Sequence, residues 1–157
     1  MAAMLKTVRR ALADTLDVGL QGRGRVLAYQ PRDVQIPTTG VLVYVAPDPS
    51  NYVEPWLSFD PQQWSHVRYV VTVCVPDDDA ARALDLLDDL IDPTLGAANV
   101  FTSVYATPGL GLTAFHVDAQ PELQPIQGPS RMSTADGNVT FWQVQFPVRV
   151  VVQTPTA

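Results

Sequence analysis

The chain has little of what catalytic and secreted proteins commonly rely on. Cys74 is its only cysteine, so no intrachain disulfide forms and no cysteine cluster can hold zinc. A disulfide-stapled scaffold is thereby excluded, while a reducing compartment or a virion is compatible. Histidine occurs twice, as His66 and His116, neither in a recognisable elbow, and no Gly-x-Ser-x-Gly is present. No apolar run approaches the ~18 residues of a membrane-crossing helix. Met1 to Leu16 places charges inside its apolar pattern, so it does not read as a signal peptide. Charged residues make up only 17 %, and abundant Val and Leu bring the hydrophobic fraction to 46 %, which rules out wholesale disorder. At 157 residues the expectation is one domain, 1–157, able to hold a core without disulfides or metal.

The remaining candidates for chemistry each have a plainer reading. Cys74 lies between Val73 and Val75, where a free cysteine behaves as a small buried hydrophobe. His116 and Asp118 share a strand face, but no third or fourth metal ligand stands near them in sequence. Asp77, Asp78 and Asp79 lack the spacing and glycine of a calcium loop and read as a helix start. Gly19 to Gly24 follows a helix instead of a strand and is not a dinucleotide fingerprint. No catalytic residue, metal ligand or cofactor site is therefore assigned, and a non-enzymatic protein is expected.

What the sequence does have is a lopsided charge. The net charge is −6, an unfavourable balance for gripping phosphates. Through Arg32 the chain carries six basic residues against Asp14 and Asp17, +4; beyond it, four basic face fourteen acidic, −10. Half of those fourteen lie from Asp77 to Asp92. Solvated helix faces explain this plainly. Head-to-tail self-association, basic face on acidic face, explains it too, and such heterologous contacts close into rings when the rotation allows.

The elements read in an α+β order. Leu5, Val8, Leu12 and Leu16 mark an amphipathic helix over about 3–17, with Gly19 expected to stop it. Short strands follow at 25–29 and 41–45, the second apolar throughout and so suited to cover on both faces. Six prolines between Pro31 and Pro61 confine that stretch to loops and edges. Tyr52, Trp56 and Phe59 make 51–59 an aromatic loop or irregular edge strand in need of a surface to lie on.

Val67 to Val75 alternates as a strand, Asp77 is placed to cap a helix reaching Ile91, and 97–106 forms a shorter helix. A strand at 113–119 and a hairpin turning at Asp136-Gly137 complete the order. In the closing strand Pro147 suggests an edge or a bulge. The expectation is a mixed, mostly antiparallel sheet with two main helices packed on one face. The stretches 47–64 and 120–138 stand as long loops or hairpin extensions.

This arrangement resembles the tail terminator proteins of long-tailed bacteriophages. The resemblance rests on the opening helix Leu5 to Leu16, the Val41 to Val45 strand after its proline-rich approach, and Phe59-Asp60-Pro61 leading into Arg68-Tyr69-Val70-Val71-Thr72-Val73. It continues through the Asp77 to Ile91 helix, Gly96 with its short helix, and Phe141-Trp142-Gln143-Val144-Gln145-Phe146. The resemblance implies a virion protein, assembled in the host cytoplasm, whose copies form a ring, typically a hexamer. The ring would cap the tail tube, stop its polymerisation and join the neck or head-completion protein, with DNA passing through the lumen unbound. On that reading Lys6, Arg9 and Arg10 would meet Asp85, Asp88 and Asp89 between subunits. Tyr52 and Trp56 would contact tube or neck. A head–tail joining or minor tail protein, and a small α+β ligand-binding domain or enzyme, remain the alternatives.

Overall fold

The computed structural model describes residues 4–32, 40–55, 63–77, 79–92, 94, 99–113, 116–122, 127–134 and 137–154. Helix α1 (Met4–Leu20) buries Val8, Leu12, Leu16 and Leu20, a spacing that keeps one face toward the core. Gly19 does not stop this helix. It lies in the last turn, where α1 crosses a later helix so closely that a Cβ would fall 1.8 Å from the Ser103 hydroxyl oxygen. The stop comes after Leu20, where Gln21 and Gly22 both take positive φ, 53° and 82°.

Among the described residues seven strands follow around two further helices: β1 (Gly24–Leu27), β2 (Val41–Pro47), β3 (Val53–Pro55), β4 (Gln63–Pro76), α2 (Ala80–Ile91), α3 (Val100–Ala106), β5 (His116–Pro121), β6 (Gln127–Ser133) and β7 (Thr140–Thr154). They form one sheet in the order β1-β2-β4-β7-β5, with β3 also on β4 and β6 also on β7. Only β1 and β2 run parallel; the other pairings are antiparallel. The chain is thus α+β, with a mixed, mostly antiparallel sheet. Its helices lie on one face, where α1 packs on β1 and β2, α2 on β4 and β7, and α3 touches both other helices.

The two long strands are the spine. They pair without a break from Gln63 opposite Thr154 to Pro76 opposite Phe141. Val67, Tyr69, Val71, Val73 and Val75 on β4 share a face with Val144, Phe146, Val148, Val150 and Val152 on β7, all buried beneath the helices. A period-2 apolar set on both strands specifies the register, because a one-residue slip would turn every member to the other side.

Pro147 is not at an edge. β7 is internal, and Pro147 stands opposite Val70 in unbroken register. On its other side, β5 ends at Pro121 opposite Val148 while β6 begins opposite Gln145. The Pro147 carbonyl accepts from Glu122 N on that side, 2.8 Å. The N and C=O of one strand residue point the same way, so the missing N–H faces the gap between β5 and β6, where a donor would serve no ladder.

Asp77 does not cap α2. Asp79 does, its carboxylate accepting from Ala81 N at 3.1 Å. Asp77 instead binds the end of the β6–β7 hairpin, accepting from Trp142 Nε1 (2.8 Å), Thr140 Oγ1 (3.0 Å) and Arg131 Nε (2.7 Å). Three donors on one carboxylate hold it below its ordinary pKa, the Trp142 bond most of all. The helix end is secured by Asn99, fully buried: its Nδ2 donates to the carbonyls of Asp89 and Asp92, and its Oδ1 caps α3 at Thr102 N.

Candidate functional site

The helix-free face of the sheet has an apolar end and a wet end. At the first, Leu42, Tyr44, Cys74 and Phe141 form a small buried cluster with Leu27 beside it. At the second lies an open cleft, and local backbone geometry makes it. β2 and β3 pair in turn with β4, Pro47 opposite Tyr69 and Val53 opposite Val67. Arg68 alone stands between those two pairs, and five residues, 48–52, face it.

The surplus residues leave the sheet as a bulge held at both ends: Asp48 N donates to the Arg68 carbonyl (3.0 Å) and Arg68 N to the Tyr52 carbonyl (2.8 Å). Inside the bulge Asp48 Oδ1 accepts from Ser50 N at 2.9 Å, a side-chain turn that suits aspartate.

The larger lobe encloses about 420 Å³ over Tyr44, Val70, Thr72, Gln145 and Pro147, which is within the range of small-ligand sites. Its floor is hydrogen-bonded: Gln145 Nε2 donates to the buried Thr72 hydroxyl at 3.1 Å, and Thr72 also bonds Tyr44. Burial raises the Tyr44 pKa above the usual tyrosine value, and the Thr72 hydrogen bond pulls it back down. The smaller lobe, about 190 Å³, is bounded by Asn51, His66, Arg68, Glu122 and Arg149. Arg68 Nη2 donates to Glu122 Oε2 at 2.6 Å. Arg68 Nε is enclosed without an acceptor, and the Arg149 side chain has no hydrogen bond or ion pair among the described residues.

Neither arginine was singled out by sequence as a site. The available signal is faint: each is the one charged residue within a valine-rich strand. That they stand opposite one another follows only from the register.

Of the residues singled out from sequence, Lys6, Arg9, Arg10, Asp85, Asp88 and Asp89 lie elsewhere, on the helices. Lys6 and Arg10 on α1 are exposed, as are Asp85, Asp88 and Asp89 on α2, and none of the five has an ion pair among the described residues. Both helices lie on the covered side, so these two sets of opposite charge border the same layer. Arg9 differs, being half-buried with its Nε enclosed and unbonded. Tyr52 is half-buried against the core, edge-on to Tyr69 with centroids 5.7 Å apart. The Tyr69 hydroxyl reaches back to the Leu5 carbonyl at 3.1 Å, and burial raises its pKa while Arg9 lowers it. The structure thus gathers Arg9 and Tyr52 around Tyr69. Trp56 lies outside the described residues.

Cys74 is fully buried, which pushes its thiol up to about 12. Among the described residues no cluster of three His, Cys, Asp or Glu could hold a metal, and no helix is long and apolar enough to cross a membrane. No protein-family model matches the chain, and no curated protein matches it by sequence.

Proposed function

We propose that the chain is a non-enzymatic structural subunit of a bacteriophage tail. As a terminator, its copies form a ring that caps the tail tube, stops its growth and presents a surface to the neck. The observation that carries this reading is the β6–β7 hairpin. All seven residues of β6 are exposed, Met132 keeps 41 % of its surface in water, and Val139 at the turn keeps 48 %. A strand with no buried residue gains little stability from its own chain, whereas a neighbouring copy would cover it. The ordered segments that resemble tail terminators supply the kind of assembly.

The unpaired Lys6 and Arg10 on one helix and Asp85, Asp88 and Asp89 on another suit a contact between copies. Acidic side chains in the last turn of α2 oppose the helix dipole, at about 0.3–1 kcal/mol each, and a basic neighbour would offset that cost. An acidic molecule also suits a DNA conduit, since like charge prevents sticking.

Light scattering across a concentration and salt series tests the reading, with isolated tail tubes added and inspected by electron microscopy. A salt-sensitive species near six copies of the 17.1 kDa chain, or rings on tube tips, is expected. A monomer at every concentration that ignores tube tips overturns it. Lys6→Glu with Arg10→Glu should weaken the ring. Arg9 is left intact because its enclosed Nε makes its loss a folding matter.

A further inference from the structure

We infer that the cleft on the helix-free face is a binding site for an extended peptide segment bearing a carboxylate, with Arg149 as the group that receives it. Arg68 and Arg149 are direct cross-strand partners on β4 and β7. Both backbone groups of Arg68 are spent on the 48–52 bulge, pointing away from β7. The pair is therefore of the non-hydrogen-bonded kind, with Cα atoms only about 4.5 Å apart and side chains close. Two guanidinium groups so placed repel one another unless an anion lies between or beside them.

Among the described residues one such anion, Glu122, is engaged with Arg68. Asp48, on the far rim, is turned to Ser50 N. Arg149 is left with its fork of donors and no acceptor among the described residues, at the wall of a cleft that admits a small group. In a chain of net charge −6, two arginines sharing one described carboxylate are a local excess of the opposite sign.

The occupant follows from what adjoins the pair. A planar guanidinium suits a carboxylate, which it holds through two parallel hydrogen bonds. Beside it the larger lobe offers half-buried Val70 and buried Pro147, with the half-buried Gln145 amide, anchored on the Thr72 hydroxyl, as the polar partner on the floor. An apolar strip next to amide-bonding groups matches main chain with small apolar side chains, continuing away from an acidic residue. A free anion would use Arg149 and leave the larger lobe empty. The inference goes beyond the ring and stands whether or not a ring forms.

Calorimetric titration of the full chain tests it, using the blocked tripeptides acetyl-Val-Glu-Val-amide and acetyl-Val-Gln-Val-amide, with sodium acetate and inorganic phosphate as free anions. The glutamate peptide should bind at least about ten-fold tighter than the glutamine peptide, a difference of about 1.4 kcal/mol. Arg149→Gln should erase that preference and Arg149→Lys should restore part of it. Gln145→Ala, which removes the amide on the floor, should weaken both peptides alike. Equal binding of the two peptides, or binding of neither, overturns the inference. Acetate or phosphate matching the glutamate peptide overturns it too, by showing a site for free anions. Arg149 is exposed, so its variants should keep the native circular dichroism spectrum. They should also keep the parent's mass in solution, which separates failure of this site from failure of the ring.

Discussion

The two faces of the sheet are made by the same strands yet obey different rules. Toward the helices, β4 presents Val67, Val71, Val73 and Val75 and β7 presents Val144, Val148, Val150 and Val152, with Tyr69 and Phe146 among them, and all ten are buried. Toward the other side the intervening residues include Arg68, Thr72, Gln145 and Arg149, partly or fully accessible except Thr72. The covered face is a packing problem, solved by volume and insensitive to which valine meets which. The open face is a problem of polar satisfaction, and its solution leaves loose ends at Arg68 Nε and Arg149. Stability is concentrated on the first and recognition on the second.

Neighbouring residues on β7 give the sharpest way to break that contrast. Phe146 is fully buried and meets Phe101 at a centroid distance of 5.4 Å. Its replacement by alanine should cost about 3–5 kcal/mol in urea unfolding. Gln145, one residue away on the opposite face, gives up one hydrogen bond to Thr72, and Gln145→Ala should cost about 0.5–1.5 kcal/mol. Penalties within about 1 kcal/mol of each other would mean the faces are not energetically distinct.

The covered face was legible in sequence and the open one was not, for a physical reason. Period-2 and period-3.6 patterns record which side of an element is apolar. They therefore gave the core strands β2, β4 and β7, the α2 stripe ending at Ile91 and the layer order. Strand ends were less sharp, since β5 runs from His116 to Pro121 and β1 ends at Leu27. Patterns do not record what an element meets laterally. Gly19 read as a stop because glycine commonly ends helices, whereas here it is the contact that lets α1 approach Ser103. Asp77 read as a cap because it follows Pro76, whereas its donors come from Arg131, Thr140 and Trp142, 54 or more residues away. Pro147 read as an edge signal because a gap between two partner strands cannot be inferred from one of them. The cleft depends on a five-residue bulge opposite a single arginine, a matter of register throughout.

Asp77 also offers a milder test at the margin between the two faces. Its folded pKa lies below the unfolded carboxylate value. The stability it contributes is therefore present above that unfolded value, near 3.9, and is lost as pH falls through the depressed one. Melting temperature followed from about pH 5 down to pH 2 should decline, and Asp77→Asn should make the decline shallower while lowering the plateau above it. Loss of the plateau with an unchanged acid slope would show that Asp77 matters only as a neutral acceptor. An unaltered curve would detach the hairpin from the rest of the sheet energetically.

The smallest expected effect refines the contrast instead of breaking it, because the open face is itself divided. Cys74 belongs to that face, yet it is fully buried beside Leu42, Tyr44 and Phe141. A thiol pushed up to about 12 by desolvation has roughly one part in 10⁴ as thiolate at pH 8, and only the thiolate attacks a disulfide reagent. The native protein should therefore react with an aromatic disulfide far more slowly than the same protein in guanidinium chloride, with no measurable change in fold. Such protection would mean that the apolar end is closed in solution and that access to the helix-free face is confined to the Arg68 end. Fast labelling of the native chain would place water along the whole face, and the cleft would then be one stretch of a continuous wet surface without boundaries of its own.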